Sequence, residues 1–441
     1  MNPEFQRNLY LEFSYARLVG MPAFLLVTFS LTYLLDGKNF EQSTANTAMG
    51  LYIAIVLFWG ARQSAECIFE ELRNNTWDTQ KTSAISPWSL AWGKLFGSTL
   101  YNWYGGLLCL LVYGVASSEL EYNMLNWIYL LAGGLLAQSL SLLISLFSLR
   151  RKQNFNGGFS YLFALFILFS IMPMLLNIDE YYNDVIFWYG EQYNRAYFSG
   201  VSLVIACIWA IVGIYRLLAD ELRMRTFPWV WLVFIVFVIM YLTGIVVSYD
   251  MAQQQDVGMT LMLVGFCVCI GLSYVLLFID ENNPMVLRKV WVYSQQEQWL
   301  RMLQEIPCWL VSVALAFLTM VILTLVYPVE RIDTLNIYPG VIFLLMLRDI
   351  CILLFFSYAP SPKRAMSLTL LYMISLYGLL PVIFQSMNAD FLIGLVLPLL
   401  NDNAIMAIIF SSLQTLFIGF LLFQRWQKRV TDVRKQIVEH D

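Results

Sequence analysis

At 441 residues, with 59% hydrophobic, 16% aromatic and only 13% charged side chains, the chain is far from the roughly 25% charged composition of soluble domains. Its mean hydropathy of +0.66 and repeated apolar runs of about 18 residues or more identify a polytopic α-helical membrane protein. They exclude an outer-membrane barrel, whose segments are short and alternating. A net charge of -4 gives no electrostatic ground for a nucleic-acid partner.

The opening stretch places Phe5, Leu9, Phe13 and Ala16 on one helical face, with Glu4, Arg7, Asn8, Glu12 and Arg17 around the rest. This predicts an amphipathic interfacial helix on the membrane, anchored through Phe5, Leu9, Phe13 and Arg17, that turns at Pro22 into the first span. Spans are then expected at about 18–35, 47–68, 95–117, 126–149, 159–178 and 197–218, and at about 228–249, 258–279, 307–327, 340–358, 367–387 and 404–424. The fold expected is an all-α transmembrane bundle of about twelve spans. Lys and Arg decide its orientation. With the N-terminus inside, only Lys38, Arg195 and Arg331 face outward, so both termini are placed in the cytoplasm, in a cytoplasmic (inner) membrane.

Two outer segments read as structured: the acidic, aromatic residues 179–196 and the short apolar run 391–400. A faint internal repeat is present. Residues 294–311 again form an amphipathic helix leading to a proline, and Arg17, Pro22 and Arg62 recur as Arg301, Pro307 and Arg348. The domain organisation expected from this is a first unit over 1–218, linker spans over 219–293, and a second, weakly repeated unit over 294–441. In the second unit the short segment 357–365 replaces the long polar loop of the first.

Catalytic readings fail on inventory. The one histidine is His440, so no histidine-based triad or metal site can be built, and no G-x-S-x-G or H-E-x-x-H occurs. Gly93-Lys94 continues into Leu95 and lacks a glycine five residues earlier, so it is no P-loop. No catalytic residue, metal ligand or bound cofactor is assigned to the chain. The seven cysteines fall within or at the ends of apolar segments, and the Cys267/Cys269 pair, with no histidine nearby, reads as small buried side chains.

Charges inside spans are few. Arg62 and Glu66 stand four residues apart near the end of the second span, as a structural pair or a proton relay. Arg348 and Asp349 occupy the corresponding place in the second copy. Small and polar residues crowd the third and fourth spans, including Asn102, Gly105, Gly106, Gly134 and Gln138. They either permit close helix packing or line a path for an amphipathic substrate.

The longest informative interruption is EELRNNTWDTQKTSAISPWSLAWGKLFG, residues 70–97. It is too charged for hydrocarbon and too aromatic for a flexible linker, which fits a short amphipathic element lying against another protein. In order it offers Glu71, then Asn75-Thr76-Trp77-Asp78, Ile85-Ser86-Pro87-Trp88 and Gly93-Lys94-Leu95. This resembles the permease subunits of type-2 ATP-binding-cassette (ABC) exporters. Their acidic residue after the second span is followed by a G-T-(L/W)-(E/D) turn, a (T/S)-P-(I/V/W)-S step and a G-K-L opening the third span. Asn75 stands where glycine is usual, and asparagine tolerates the same left-handed turn. The amphipathic N-terminal helix also resembles the family's connecting helix, and the likeness covers about residues 1–120.

The resemblance implies that this loop is a coupling helix seated in a groove of a separate cytoplasmic ABC ATPase, which would bind the ATP and magnesium. Trp77, Ile85 and Trp88 would be its buried anchors. Glu71, Asp78 and Lys81 would set register at the rim, and Pro87 would punctuate the helix. The partners so implied are the ATPase, membrane lipid and, where one chain is half a channel, a second permease chain. The function expected is ATP-driven export of an amphipathic or lipid-linked substrate. The alternatives are a membrane-embedded enzyme acting on lipid or polysaccharide and an assembly factor.

Overall fold

A computed structural model describes residues 2–36, 42–82, 85–117, 120–150, 184–224, 227–250, 256–280, 282–326, 339–359, 365–400 and 403–438. The chain divides into two compact units, one of residues 1–187 and 191–226, the other of residues 188–190 and 227–441. Almost all described structure is helical, and ten helices are long and apolar enough to cross a membrane. Two further helices, bent by 57° at Thr99, are together long and apolar enough for an eleventh. The remaining expected span, 159–178, lies outside the described residues, as do His440 and most of 357–365.

In the first unit, α1 (Pro3–Glu12) is capped by Asn2, whose side chain accepts from Glu4 and Phe5 N–H, with Pro3 at the first helical position. The chain turns at Phe13 and Ser14. The Ser14 hydroxyl caps α2 (Tyr15–Leu35) by accepting from Arg17 N–H. The expected turn at Pro22 is therefore displaced to Ser14. Pro22 sits inside α2, and Arg17 belongs to the span rather than to the interfacial helix.

Next come α3 (Gln42–Tyr52), a π-helical stretch Ile53–Trp59 and α4 (Gly60–Arg73), which together make the second span. A π-turn frees carbonyls from the regular ladder. Here Asn102 Nδ2 donates to Ile55 O at 3.0 Å and Gln138 Nε2 to Val56 O at 3.1 Å. Both donors are fully buried and come from neighbouring spans, α7 (Leu100–Ala116) and α8 (Leu120–Arg150). The small residues of these two helices are packing residues. A Cβ on Gly106 or Gly134 would stand 2.3 Å or 2.7 Å from the Val56 methyls, and one on Gly105 would meet Met21 at 2.8 Å.

A two-residue turn with positive φ at Tyr189 and Gly190 joins β1 (Val185–Trp188) to β2 (Glu191–Asn194) in a hairpin, the form short hairpin turns prefer. The unit closes with α9 (Arg195–Glu221), capped by Asn194 and packed on α8.

The second unit holds α10 (Trp229–Asp250), α11 (Val257–Ile279), α12 (Pro284–Gln295), α13 (Trp299–Glu305), α14 (Cys308–Val326) and α15 (Pro339–Ser357). They are followed by α16 (Ala365–Ile374), a π-turn Ser375–Leu379, α17 (Leu380–Ser386), α18 (Asp390–Val396) and α19 (Ala404–Val438). The short run 391–400 is accordingly a helix, α18, with one 3₁₀ turn after it.

The spans expected to act as linkers do not stand apart. α11 packs along α14, and Phe266, Cys269, Leu276 and Leu277 share a core with Trp309, Ala316, Phe343 and Met346. Apolar complementarity assigns α10 and α11 to the second unit, which therefore has six spans among its described residues.

Candidate functional site

The polar stretch 70–97 folds as the end of α4, a tight turn, α5 (Trp77–Thr82) and α6 (Pro87–Ser98). α4 stops because Asn75 adopts φ 55°, the left-handed conformation anticipated for it. Thr76 N–H then reaches back to Glu71 O at 3.0 Å and Asn75 N–H to Leu72 O at 3.2 Å, satisfying the last carbonyls. α6 starts because Ser86 accepts from Ser89 N–H and Pro87 occupies the first position.

Between these helices lies a buried ionic cluster. Lys94 Nζ, only 2% exposed, donates to Glu71 Oε2 and, at 3.0 Å, to Gln80 Oε1. Gln80 Nε2 donates to Glu71 Oε1 at 2.6 Å. From α1, Arg7 Nη2 bridges Glu71 Oε1 and Glu4 Oε1, each at 2.7 Å, and Glu4 Oε1 lies 3.9 Å from Lys94 Nζ. Two cations face two carboxylates, so the cluster is neutral, and every member has a partner. That is the condition on which buried charges are tolerated. Lys94 also stands 5.1 Å over the Trp77 ring, with Lys81 5.5 Å from the same ring and 3.2 Å from Glu221 of α9.

Helix α1 is held to this site by its polar face. Asn2 Nδ2 donates to Ser89 O, and Asn8 Nδ2 to Gly93 O at 3.3 Å. The approach is so close that a Cβ on Gly93 would lie 2.6 Å from Glu4 Cβ, and one on Gly97 2.6 Å from Asn8 Nδ2. Gly93→Ala is expected to push α1 off α6 and cost about 1–3 kcal/mol, the overpacking outweighing the gain of about 1 kcal/mol from removing a helical glycine. Thermal unfolding together with protease cleavage between α1 and α2 checks this. The apolar residues Leu9, Tyr10 and Leu11 point away and are exposed, while Phe5 is half-buried and Phe13 sets its ring edge-on against Tyr104.

Two expected roles change. Trp77 is 3% exposed and belongs to the unit's own core with Ile68, Leu90, Leu95, Leu142 and Ile214, so its ring cannot fill a partner's pocket. Glu71 lies inside the cluster rather than at a rim. The turn and α5 leave Arg73, Asn74, Asn75, Thr76, Asp78 and Thr79 exposed. Ser86 and Trp88 are exposed at the start of α6, Ile85 and Lys81 are partly so, and Gly93 and Pro87 are buried. Glu4 and Arg7 were missed as site residues because nothing in the order of 70–97 announces partners more than sixty positions upstream, and Gln80 was missed because the polar stretch around it does not say which side turns inward. Arg62 and Glu66 do pair, at 3.0 Å, on an exposed face of α4.

A family comparison fits this geometry. Residues 24–189 match the family model described as ABC-2 family transporter protein. The first unit is thus similar to the membrane domain of ABC-2 transporters. Its ten long apolar helices make the chain a multi-pass membrane protein, and the match supports a permease component of an ABC transporter, a class that works with an ATP-binding-cassette partner. The matched stretch takes in α4, α5 and α6 but not α1. Comparison with curated proteins and with solved structures gave no match.

The second unit has its own buried polar cluster. Arg348 and Asp349, 1% and 3% exposed, sit at the middle of α15, not at a span's end as their analogy with Arg62 implied. Asp349 Oδ1 accepts from Arg348 Nε and Nη2 at 3.0 and 2.9 Å. Asp349 Oδ2 accepts from Tyr377 Oη at 2.6 Å and Tyr274 Oη at 2.9 Å. Arg348 Nη1 donates to Gln414 Oε1 at 2.6 Å. Four spans thus meet on one ion pair.

Proposed function

We propose that the chain is the permease subunit of an ATP-driven exporter for an amphipathic or lipid-linked substrate, in a bacterial cytoplasmic membrane with its termini inside. A separate cytoplasmic ATPase would bind the ATP and magnesium and press on the exposed side of α5. The observation that carries this reading is the neutral cluster of Glu4, Arg7, Glu71, Gln80 and Lys94 behind that element. A short helix resting on loose side chains would absorb a push by bending. Here α5 is joined through Gln80 and the Trp77 ring to α4, α6 and α1, so displacement of one is displacement of all four. Lys81–Glu221 and Arg150–Asp220 (2.6 Å) carry the connection to α9 and α8.

The test reverses exposed charges and leaves the core alone. Arg73→Glu with Asp78→Arg is expected to keep the chain inserted and its unfolding within about 0.5–1 kcal/mol of the parent. It should abolish stoichiometric co-purification of an ATP-hydrolysing partner on a C-terminally tagged chain. Full retention of that partner by the charge-reversed variant would overturn the docking surface. The ratio of partner to chain in the parent complex tells whether one chain or two form the channel.

A further inference from the structure

We infer that the first unit binds a phospholipid with a phosphate-plus-ammonium headgroup of the phosphoethanolamine type, its headgroup in a cleft at the shared starts of α2 and α7 and its chains over an apolar groove further along the same two helices. This goes beyond the permease reading and does not rest on an ATPase partner.

The cleft, about 620 Å³ in volume, runs along α4, the helix that leads into the turn before α5, and is closed by Glu12, Arg17 and Tyr101. Its charges are mixed. Arg17 pairs with Glu12 at 2.6 Å, Arg62 pairs with Glu66 at 3.0 Å, and Glu70 adds an exposed carboxylate. An anionic headgroup would meet three carboxylates there and a cationic one two guanidinium groups. A headgroup carrying both signs meets complementary charge on each side.

Each guanidinium has five N–H donors and spends one on its carboxylate. Others remain for a phosphate, two of whose oxygens the planar guanidinium fork can engage at once. The carboxylates of Glu66 and Glu70 accept from a primary ammonium, and the Trp59 and Tyr101 rings, edge-to-face at 5.7 Å, supply an aromatic wall for it. Trp59 is 45% exposed because it ends the π-helical stretch, which turns it out of the span's buried face.

A second observation places the chains of the lipid. The same two helices border an open, almost wholly apolar groove of about 590 Å³, lined by Leu25, Leu26 and Phe29 of α2 and by Leu108, Leu111 and Val112 of α7. α2 and α7 run side by side in register, with Tyr104 Oη donating to Leu18 O at 3.2 Å and Gly105 against Met21. Leu25 lies about 12 Å further along α2 than Arg17, at 1.5 Å per residue. A polar cleft with an apolar groove about two turns further along the same helices matches the two ends of a phospholipid.

The experiment reconstitutes the full-length chain in nanodiscs of equal phosphatidylethanolamine and phosphatidylglycerol, then releases it and counts retained lipids by native mass spectrometry. The parent is expected to retain phosphatidylethanolamine over phosphatidylglycerol by about ten-fold, the size of one charge-assisted hydrogen bond. Arg62→Ala with Trp59→Leu, both at exposed positions, should return the ratio to that of the nanodisc while thermal unfolding stays that of the parent. The single variant Glu66→Gln should lower the preference by keeping the shape and removing a charge. Displacement by soluble glycerophosphoethanolamine would assign recognition to the headgroup alone. Retention of lipid against that competitor would assign it to headgroup and chains together. Equal retention of the two lipids by the parent, or an unchanged preference in the double variant, would overturn the site.

Discussion

Replacing Glu71 by methionine is expected to destabilise the first unit by about 3–5 kcal/mol, the cost of leaving a buried charge without its partner. The charge in question is Lys94. Arg7 is 42% exposed and can turn to water, but Lys94 at 2% exposure cannot. Without Glu71 it keeps only Gln80 Oε1, the Trp77 ring and a carboxylate of Glu4 at 3.9 Å. Lys94→Met should cost less, because Glu71 would still accept from Arg7 and Gln80. The double variant Glu71→Met with Lys94→Met should recover most of the loss, since an apolar pair of similar volume often matches a buried ion pair in stability. The double-mutant cycle is read by unfolding in detergent and by maleimide labelling of Cys67, half-buried on α4. Additive losses in the cycle would mean that the two residues do not act on each other, and the rigid coupling of α5 to α4, α6 and α1 would fall with it.

What the sequence made legible follows from how far each signal reaches. Long apolar runs need no partner to be recognised, so among the described residues the spans stand close to where their runs predicted them. Local chemistry was legible too. Asn75 adopts the left-handed turn because its side chain tolerates it, and Ser86-Pro87 starts α6 by capping rules that act within four residues. The misses are long-range. Trp77 alternates with charges and so read as an exposed anchor, yet Gln80, Glu71 and Lys94 turn inward with it, and polarity along a short segment cannot say which side faces the core. The π-helical stretch 53–59 depends on Asn102 and Gln138, donors from two other spans, and no periodicity within 53–59 encodes them. Pro22 read as the turn into the first span because proline breaks helices, but Ser14 supplies the cap eight residues earlier and the proline is carried within the helix.

An offset of about 285 residues brings α4 onto α15, and α4 packs on α8 as α15 packs on α19. The arginines at the matched positions have diverged in environment. Arg62 lies exposed on a cleft that mixes charges, whereas Arg348 is enclosed. A charge at a helix end is stabilised by water and needs only a weak partner. A charge at the middle of a span needs a full set of hydrogen bonds, and the second unit supplies it from α11, α15, the π-turn at Tyr377 and α19.

That difference sets the expected result in the second unit. Asp349→Leu leaves Arg348 enclosed with Gln414 and the Tyr377 hydroxyl, and removes the acceptor of two tyrosines. The loss expected is about 3–5 kcal/mol, against a small change for Arg348→Met with Asp349→Leu together. Arg62→Met with Glu66→Leu should change stability by less than about 1 kcal/mol, because that pair is solvent-exposed. Tyr377→Phe is the finer probe. Span 367–386 is only 6% buried, so few side chains tie it to its unit, and the Tyr377 hydroxyl ties it to both Arg348 and Asp349. Losing that hydroxyl should cost about 1–3 kcal/mol and speed hydrogen exchange within 367–386 more than within α15. Uniform acceleration across the unit would mean that the hydroxyl stabilises the whole bundle and does not specifically hold this span. No acceleration at all would mean that apolar packing holds the span and that the cluster's work is confined to neutralising Arg348.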